Sequence, residues 1–103
     1  MAYILRFVQR YRPGDRAEFL KLEAKFAAME QRRPDFPKGR RCQPYAGKEP
    51  TNTLIWECQF PTLQAAQEGL AKIESDPEHG QLYRQQVPFF LDAYTEIYEV
   101  LEL

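Results

Sequence analysis

The chain has 103 residues, 44% of them hydrophobic and 28% charged, with a formal net charge of −1. That length gives one domain, 1–103, with a small core, and an aromatic content of 14% excludes a disordered chain. The near-neutral charge excludes a field that recruits nucleic acid or an anionic membrane surface.

Tyr3 to Tyr11 reads as a strand, rich in residues that suit β structure. Alternation puts Tyr3, Leu5, Phe7, Gln9 and Tyr11 on one face and Ile4, Arg6, Val8 and Arg10 on the other. Neither face is wholly polar, so both faces of the sheet need cover. Arg12-Pro13-Gly14 ends the strand, and Asp15 with Glu18 reads as a capping box. Phe19, Leu22, Phe26 and Met29, widened by Leu20, Ala24 and Ala27, predict an amphipathic helix that ends near Arg33, before Pro34. Its stripe reads as core rather than as a cofactor box.

A loop broken by Pro34, Pro37 and Gly39 follows, with Phe36 placed to plug a groove or touch a partner. Arg32, Arg33, Lys38, Arg40 and Arg41 read as a solvated loop rather than an anion site. Arg40 to Ala46 predicts an edge strand, since Pro44 interrupts it. After a turn at 47–50, Thr51 to Phe60 is the clearest strand. Leu54, Trp56, Cys58 and Phe60 should face helices, and Thr53, Ile55, Glu57 and Gln59 the opposite side.

Pro61 stops that strand and Thr62 can cap a helix carrying Leu63, Ala66, Leu70 and Ile73. Asp76-Pro77-Glu78 is a second helix start, with a cap, Pro at the first position and an acid in the first turn. Leu82, Tyr83 and Val87 form its apolar side and Pro88 ends it. Phe89-Phe90-Leu91 then reads as a connection, and Tyr94 to Leu103 as the last strand. The order β-α-β-β-α-β is the ferredoxin-like α+β arrangement, an antiparallel four-stranded sheet with both helical segments on one face. The other face is too apolar to stand in water, and a second copy in a symmetric homodimer is its natural cover.

No apolar run approaches the roughly 20 residues of a membrane span. Arg6 arrives too early for a secretory leader, and no small-residue cleavage site follows. A cytoplasmic location with reduced cysteines is the expectation. Cys42 and Cys58 could lie opposite each other on one hairpin, and buried inert thiols are the plain reading. Two thiols without further partners give no metal site. A phosphate loop, a nucleophile triad and a paired-His helix motif are all missing from the sequence.

The candidate acid–base residues are His79, Tyr83 and Tyr98. His79 is the one side chain whose ordinary pKa lies near neutrality. Its place in a first helical turn, beside the positive end of the helix dipole, favours the neutral imidazole. Such a group can act as a base towards a phenol or enol; the alternative is a surface histidine. Tyr94 and Tyr98 carry hydroxyls that seek partners when buried. Arg6, Trp56 and Glu57 are the candidate pocket residues, although Trp56 also reads as core, and Arg6, Glu57 and Glu99 also suit ion pairs across a dimer.

Several short motifs carry a resemblance: Arg12-Pro13-Gly14; Leu54-Ile55-Trp56-Glu57 with Phe60 and Leu63; Asp76-Pro77-Glu78-His79 with Tyr83 and Pro88; and Glu96-Ile97-Tyr98. In these the chain resembles the dimeric α/β-barrel superfamily, in its NIPSNAP-like and antibiotic-biosynthesis-monooxygenase-like branches. The resemblance implies two sheets packed face to face as a barrel, with a cavity beneath the helices of each subunit. It does not select an activity, because members range from cofactor-independent monooxygenases and isomerases to haem-binding proteins. His79 stands where NIPSNAP-like proteins have Trp. The haem-degrading branch has its iron-ligating His near Leu82 and an Asn near Phe7, so haem is disfavoured. The leading expectation is therefore a small oxygenase-like or isomerase-like enzyme acting on an apolar or aromatic molecule without a cofactor. A non-catalytic ligand-binding or structural homodimer is the alternative.

Overall fold

The computed structural model describes residues 1–103. Four strands, β1 (Tyr3–Tyr11), β2 (Arg40–Cys42), β3 (Thr53–Phe60) and β4 (Phe90–Glu99), form one sheet in the order β2-β3-β1-β4 with every pairing antiparallel. Helices α1 (Arg16–Arg32), α2 (Leu63–Ser75) and α3 (Pro77–Gln86) complete a ferredoxin-like α+β fold. β1 lies at the centre, and its alternation decides the layers. Leu5 is buried with Phe26, Met29, Phe36, Trp56 and Ile73, while Tyr11 is buried with Phe19 and Leu54.

The helix starts show which local signals act. Thr62 Oγ1 accepts from Ala65 N–H at 3.0 Å, and Asp76 Oδ2 accepts from His79 N–H at 3.0 Å, as N-caps do. The capping box expected at Asp15 does not form. A 3-10 turn over Pro13–Asp15 leads into α1, Asp15 sits at φ −99°, ψ 8°, and its carboxylate accepts from Arg12 Nε at 3.0 Å. The carboxylate is occupied by the strand end and makes no cap to the helix.

Two strands differ from their expected bounds. β2 stops at Cys42, short of Pro44 and Ala46, because only Arg40, Arg41 and Cys42 meet β3. β4 runs from Phe90 rather than from Tyr94. Phe90 pairs with Tyr11 across a bulge, and its ring meets Phe19 at 5.9 Å and Tyr83 at 5.8 Å. Tyr3 pairs with Glu99, and beyond that pair a single hydrogen bond, from Val100 N–H to Ala2 O at 2.8 Å, closes the ladder, so the strand ends at Glu99 instead of at Leu103. The register also sets Cys42 opposite Ile55, not opposite Cys58.

The sheet face away from the helices carries Arg6, Val8, Ile55, Glu57, Tyr94, Glu96 and Tyr98. Part of the β2–β3 connection lies against it. Tyr94 donates its hydroxyl to Glu49 at 2.9 Å, Lys48 and Glu49 border Val8 and Ile55, and both Val8 and Thr53 are buried.

Candidate functional site

The helices leave a cavity of about 320 Å³ over the sheet. Its sheet side is Phe7 stacked on Trp56, with ring centroids 5.0 Å apart and planes at 17°. Phe26 of α1, Phe36 of the α1–β2 loop, and His79 and Tyr83 of α3 supply the opposing wall. This mix of aromatic faces with a few converging polar groups is what small-molecule sites present.

His79 is positioned twice over. The Asp76 cap fixes the first turn of α3. The imidazole then lies 5.0 Å from the Phe26 ring and stacks near Phe36 (6.1 Å) and Tyr83 (6.2 Å). Burial lowers its pKa, and the Asp76 and Glu30 carboxylates oppose that shift without reversing it. Since the ordinary value is about 6.5, the ring is neutral at pH 7.

The α1–β2 loop is pinned to the same helix start. Arg33 lies over the Phe36 ring at 5.0 Å and pairs with Asp76 at 2.7 Å and Glu78 at 3.4 Å. Arg32 also pairs with Glu78, and Lys72 with Asp35 at 3.0 Å. The Arg33 hydrogen bond holds the Asp76 carboxyl down at about 2.

The polar end of the cavity is a buried charge cluster. Arg41 Nε meets Glu23 Oε2 at 2.5 Å and its Nη2 meets Glu30 Oε2 at 2.5 Å. Glu30 Oε1 also accepts from the Trp56 indole N–H and from the Gly39 amide, each at 3.3 Å. Gln86 donates its side-chain N–H to Glu23 at 2.9 Å. Gly39 is required here: a Cβ on it would lie 2.1 Å from the Trp56 ring.

Of the six residues singled out in the sequence, His79, Tyr83 and Trp56 line this cavity. Arg6, Glu57 and Tyr98 do not. They lie across the sheet, where Arg6 pairs with Glu57 at 3.4 Å and Glu96 at 3.5 Å and sits 5.2 Å over the Tyr98 ring. Alternation along β1, β3 and β4 separates the two groups, so His79 and Tyr98 cannot share a site. Burial raises the Cys58 thiol pKa, and Cys42 is exposed. Leu82 packs against the apolar core and Phe7 is stacked on Trp56, so neither position offers an iron ligand.

Glu23, Glu30, Arg41 and Gln86 escaped the sequence reading. One signal for them existed: Phe19, Glu23, Phe26 and Glu30 are spaced four, three and four, which puts both acids on the buried face of α1.

No protein-family model matches the sequence, and no curated protein matches it. Solved structures do. A NIPSNAP family protein from Agrobacterium tumefaciens superposes with a TM-score of 0.76 at 16% identity, over 98% of this chain and 87% of that one. A NIPSNAP domain protein from Burkholderia xenovorans gives 0.75 at 14%, over 98% and 95%. A candidate antibiotic biosynthesis monooxygenase from Nitrosomonas europaea gives 0.71 at 10%, over 97% and 90%. At these identities the likeness is one of fold, and that fold is the one the sequence motifs resemble.

Proposed function

We propose that the chain is a small homodimeric enzyme that takes a proton from an acidic O–H or C–H of a flat, largely apolar molecule, with His79 as the base and without a bound cofactor. One observation carries this reading: a neutral imidazole forms part of the aromatic wall of an open cavity of about 320 Å³. The cavity size suits a molecule of one or two rings. Phe7, Trp56, Phe26 and Phe36 would orient the ring plane of the ligand, and the helices and the pinned loop would limit water. A general base of this kind contributes about 10²–10⁴ in rate. Tyr83, stacked on His79, is the nearest hydroxyl to that base in the aromatic wall.

The direct test is exchange. Phenolic, enol-lactone and 1,3-dicarbonyl compounds are incubated with the protein in deuterium oxide and followed by proton NMR. Site-specific deuterium uptake that is lost in His79→Ala supports the reading, and uptake equal in both proteins overturns it. A binding role without turnover is the second reading, favoured by the orientation of the His79 ring through stacking rather than through a side-chain hydrogen bond. It predicts binding with no exchange.

The homodimer is proposed through the open sheet face, where Tyr94 and Tyr98 are 38% and 46% exposed. Apolar area of that kind marks interaction sites. Light scattering should give twice the chain mass of 12.2 kDa, and a mass of one chain at micromolar concentration would rule the dimer out.

A further inference from the structure

The wall of the cavity is charged unevenly. Three carboxylates, Glu23, Glu30 and Glu74, line it against the single guanidinium of Arg41. Arg41 already spans two of those acids, and Glu30 is engaged further by the Trp56 indole and the Gly39 amide. Glu23 accepts two hydrogen bonds, from Gln86 and Arg41, where an ionised carboxylate takes about four.

Gln86 gives the independent sign. It is 1% exposed and lines the cavity. A carboxylate only accepts, so the amide must turn its NH2 towards Glu23. Its carbonyl oxygen then finds no donor within the protein. That oxygen is not sealed in the core but borders the open cavity, where it is free to accept from a ligand. The rest of the wall is aromatic, and ring faces attract cations within about 6 Å of their centroids. Excess negative charge, an unpaired acceptor and aromatic faces all ask for the same thing.

We propose that the cavity takes an organic cation, a primary amine or amidinium carried on a flat apolar body, with its N–H groups donated to Glu23 and to the Gln86 carbonyl oxygen. This rests on the reading of the cavity as a small-molecule site and names the ligand class. It requires N–H donors, so a quaternary ammonium is a poorer ligand than the primary amine. It also excludes a carboxylate at the polar end, where no cation is left to receive one.

The test uses the full chain and three matched probes: 2-phenylethylamine, 2-phenylethanol and 3-phenylpropanoate. Binding is followed by Trp56 fluorescence and by calorimetry. The amine should bind roughly ten- to a hundredfold more tightly than the alcohol, as hydrogen bonds to charged groups allow, and the carboxylate weakest of the three. Glu23→Gln should weaken the amine about tenfold and leave the alcohol within about twofold. Gln86→Met serves as a second variant with the same expectation, and the ranking in the unaltered protein decides the matter even if neither variant folds. Equal or tighter binding of the alcohol or the carboxylate overturns the proposal, as does no binding of any probe. Deuterium exchange on a neutral phenol without amine preference overturns this inference and leaves the base role of His79 standing. Amine preference without exchange on any substrate supports this inference and removes the catalytic reading.

Discussion

Arg40 and Arg41 are neighbours on β2 that pair with glutamates on opposite sides of the sheet, which makes them a matched experiment. Arg40 meets Glu57 at 2.8 Å with its own side chain 78% exposed. Arg41 meets Glu23 and Glu30 with its side chain 20% exposed and theirs 9% and 8%. Arg41→Met keeps most of the stem volume and strips two buried carboxylates of their counter-charge. Removing one partner of a buried pair costs about 3–5 kcal/mol. The residual solvent access of Arg41 places this case near the lower bound, about 3 kcal/mol. Against a total of about 5–15 kcal/mol for a domain, the variant should fold but unfold at a clearly lower urea midpoint. Arg40→Met should leave the midpoint near that of the unaltered chain, because exposed pairs contribute little. Restoring neutrality with Glu23→Gln and Glu30→Gln in the Arg41→Met background should recover part of the loss, since the stranded charge rather than the lost attraction dominates. Trp56 fluorescence reports the transition, with circular dichroism as a second probe. If the two arginine variants shift the midpoint equally, or if the neutralised triple variant is less stable than Arg41→Met, the buried-cluster reasoning is wrong.

Three further outcomes follow from the same geometry. Gly39→Ala puts a methyl group into the Trp56 ring, so it should destabilise by about 1–3 kcal/mol as overpacking does and shift Trp56 emission; unchanged emission and stability would show that the contact yields. His79 has a lowered pKa, so its neutral form persists below pH 6.5, and the exchange rate should stay flat down through that pH before falling. The folded state binds the proton less readily than the unfolded chain, so stability should also decline as pH drops from about 6.5 through the lower folded value; an acid limb at or above 6.5 in the rate profile contradicts this. Asp76, held at about 2, contributes stability that is present above the ordinary carboxyl range near 3.9 and is lost as pH falls towards 2. Asp76→Asn keeps an N-cap but loses the Arg33 charge pair, so its unfolding midpoint should vary less with pH between 4 and 2 than that of the unaltered chain, as measured by urea titration at each pH.

The layers of this fold were legible because strands and helices write their buried faces in apolar residues. Leu5, Trp56, Phe26 and Ile73 fall where periodicity puts them, and Thr62 and Asp76 cap the helices they announce. Asp15 misled because a cap is a choice among partners, and Arg12 won. β4 was misplaced because Phe89-Phe90-Leu91 looks like a hydrophobic connection, whereas its pairing to Tyr11 depends on a bulge that no local pattern records. The polar end of the cavity was hidden for a different reason. Charged side chains are read as solvated unless a partner is known, and Arg41 sits on the following strand, 11 residues past Glu30 and 18 past Glu23, where no helical spacing announces the pairing. His79 and Tyr83 were legible as candidates, but the separation of Tyr98 from them needed the register of β4.

The connection that lies on the open sheet face has its own consequence. By resting Lys48 and Glu49 beside Val8 and Ile55, it removes one corner of the sheet from the area another molecule can reach. For the proposed homodimer, its length sets how much of that face is left for a second chain. A shorter connection would bare Val8 and Ile55 and widen the apolar strip open to that second chain. A longer one would roof the sheet over and keep each chain solitary.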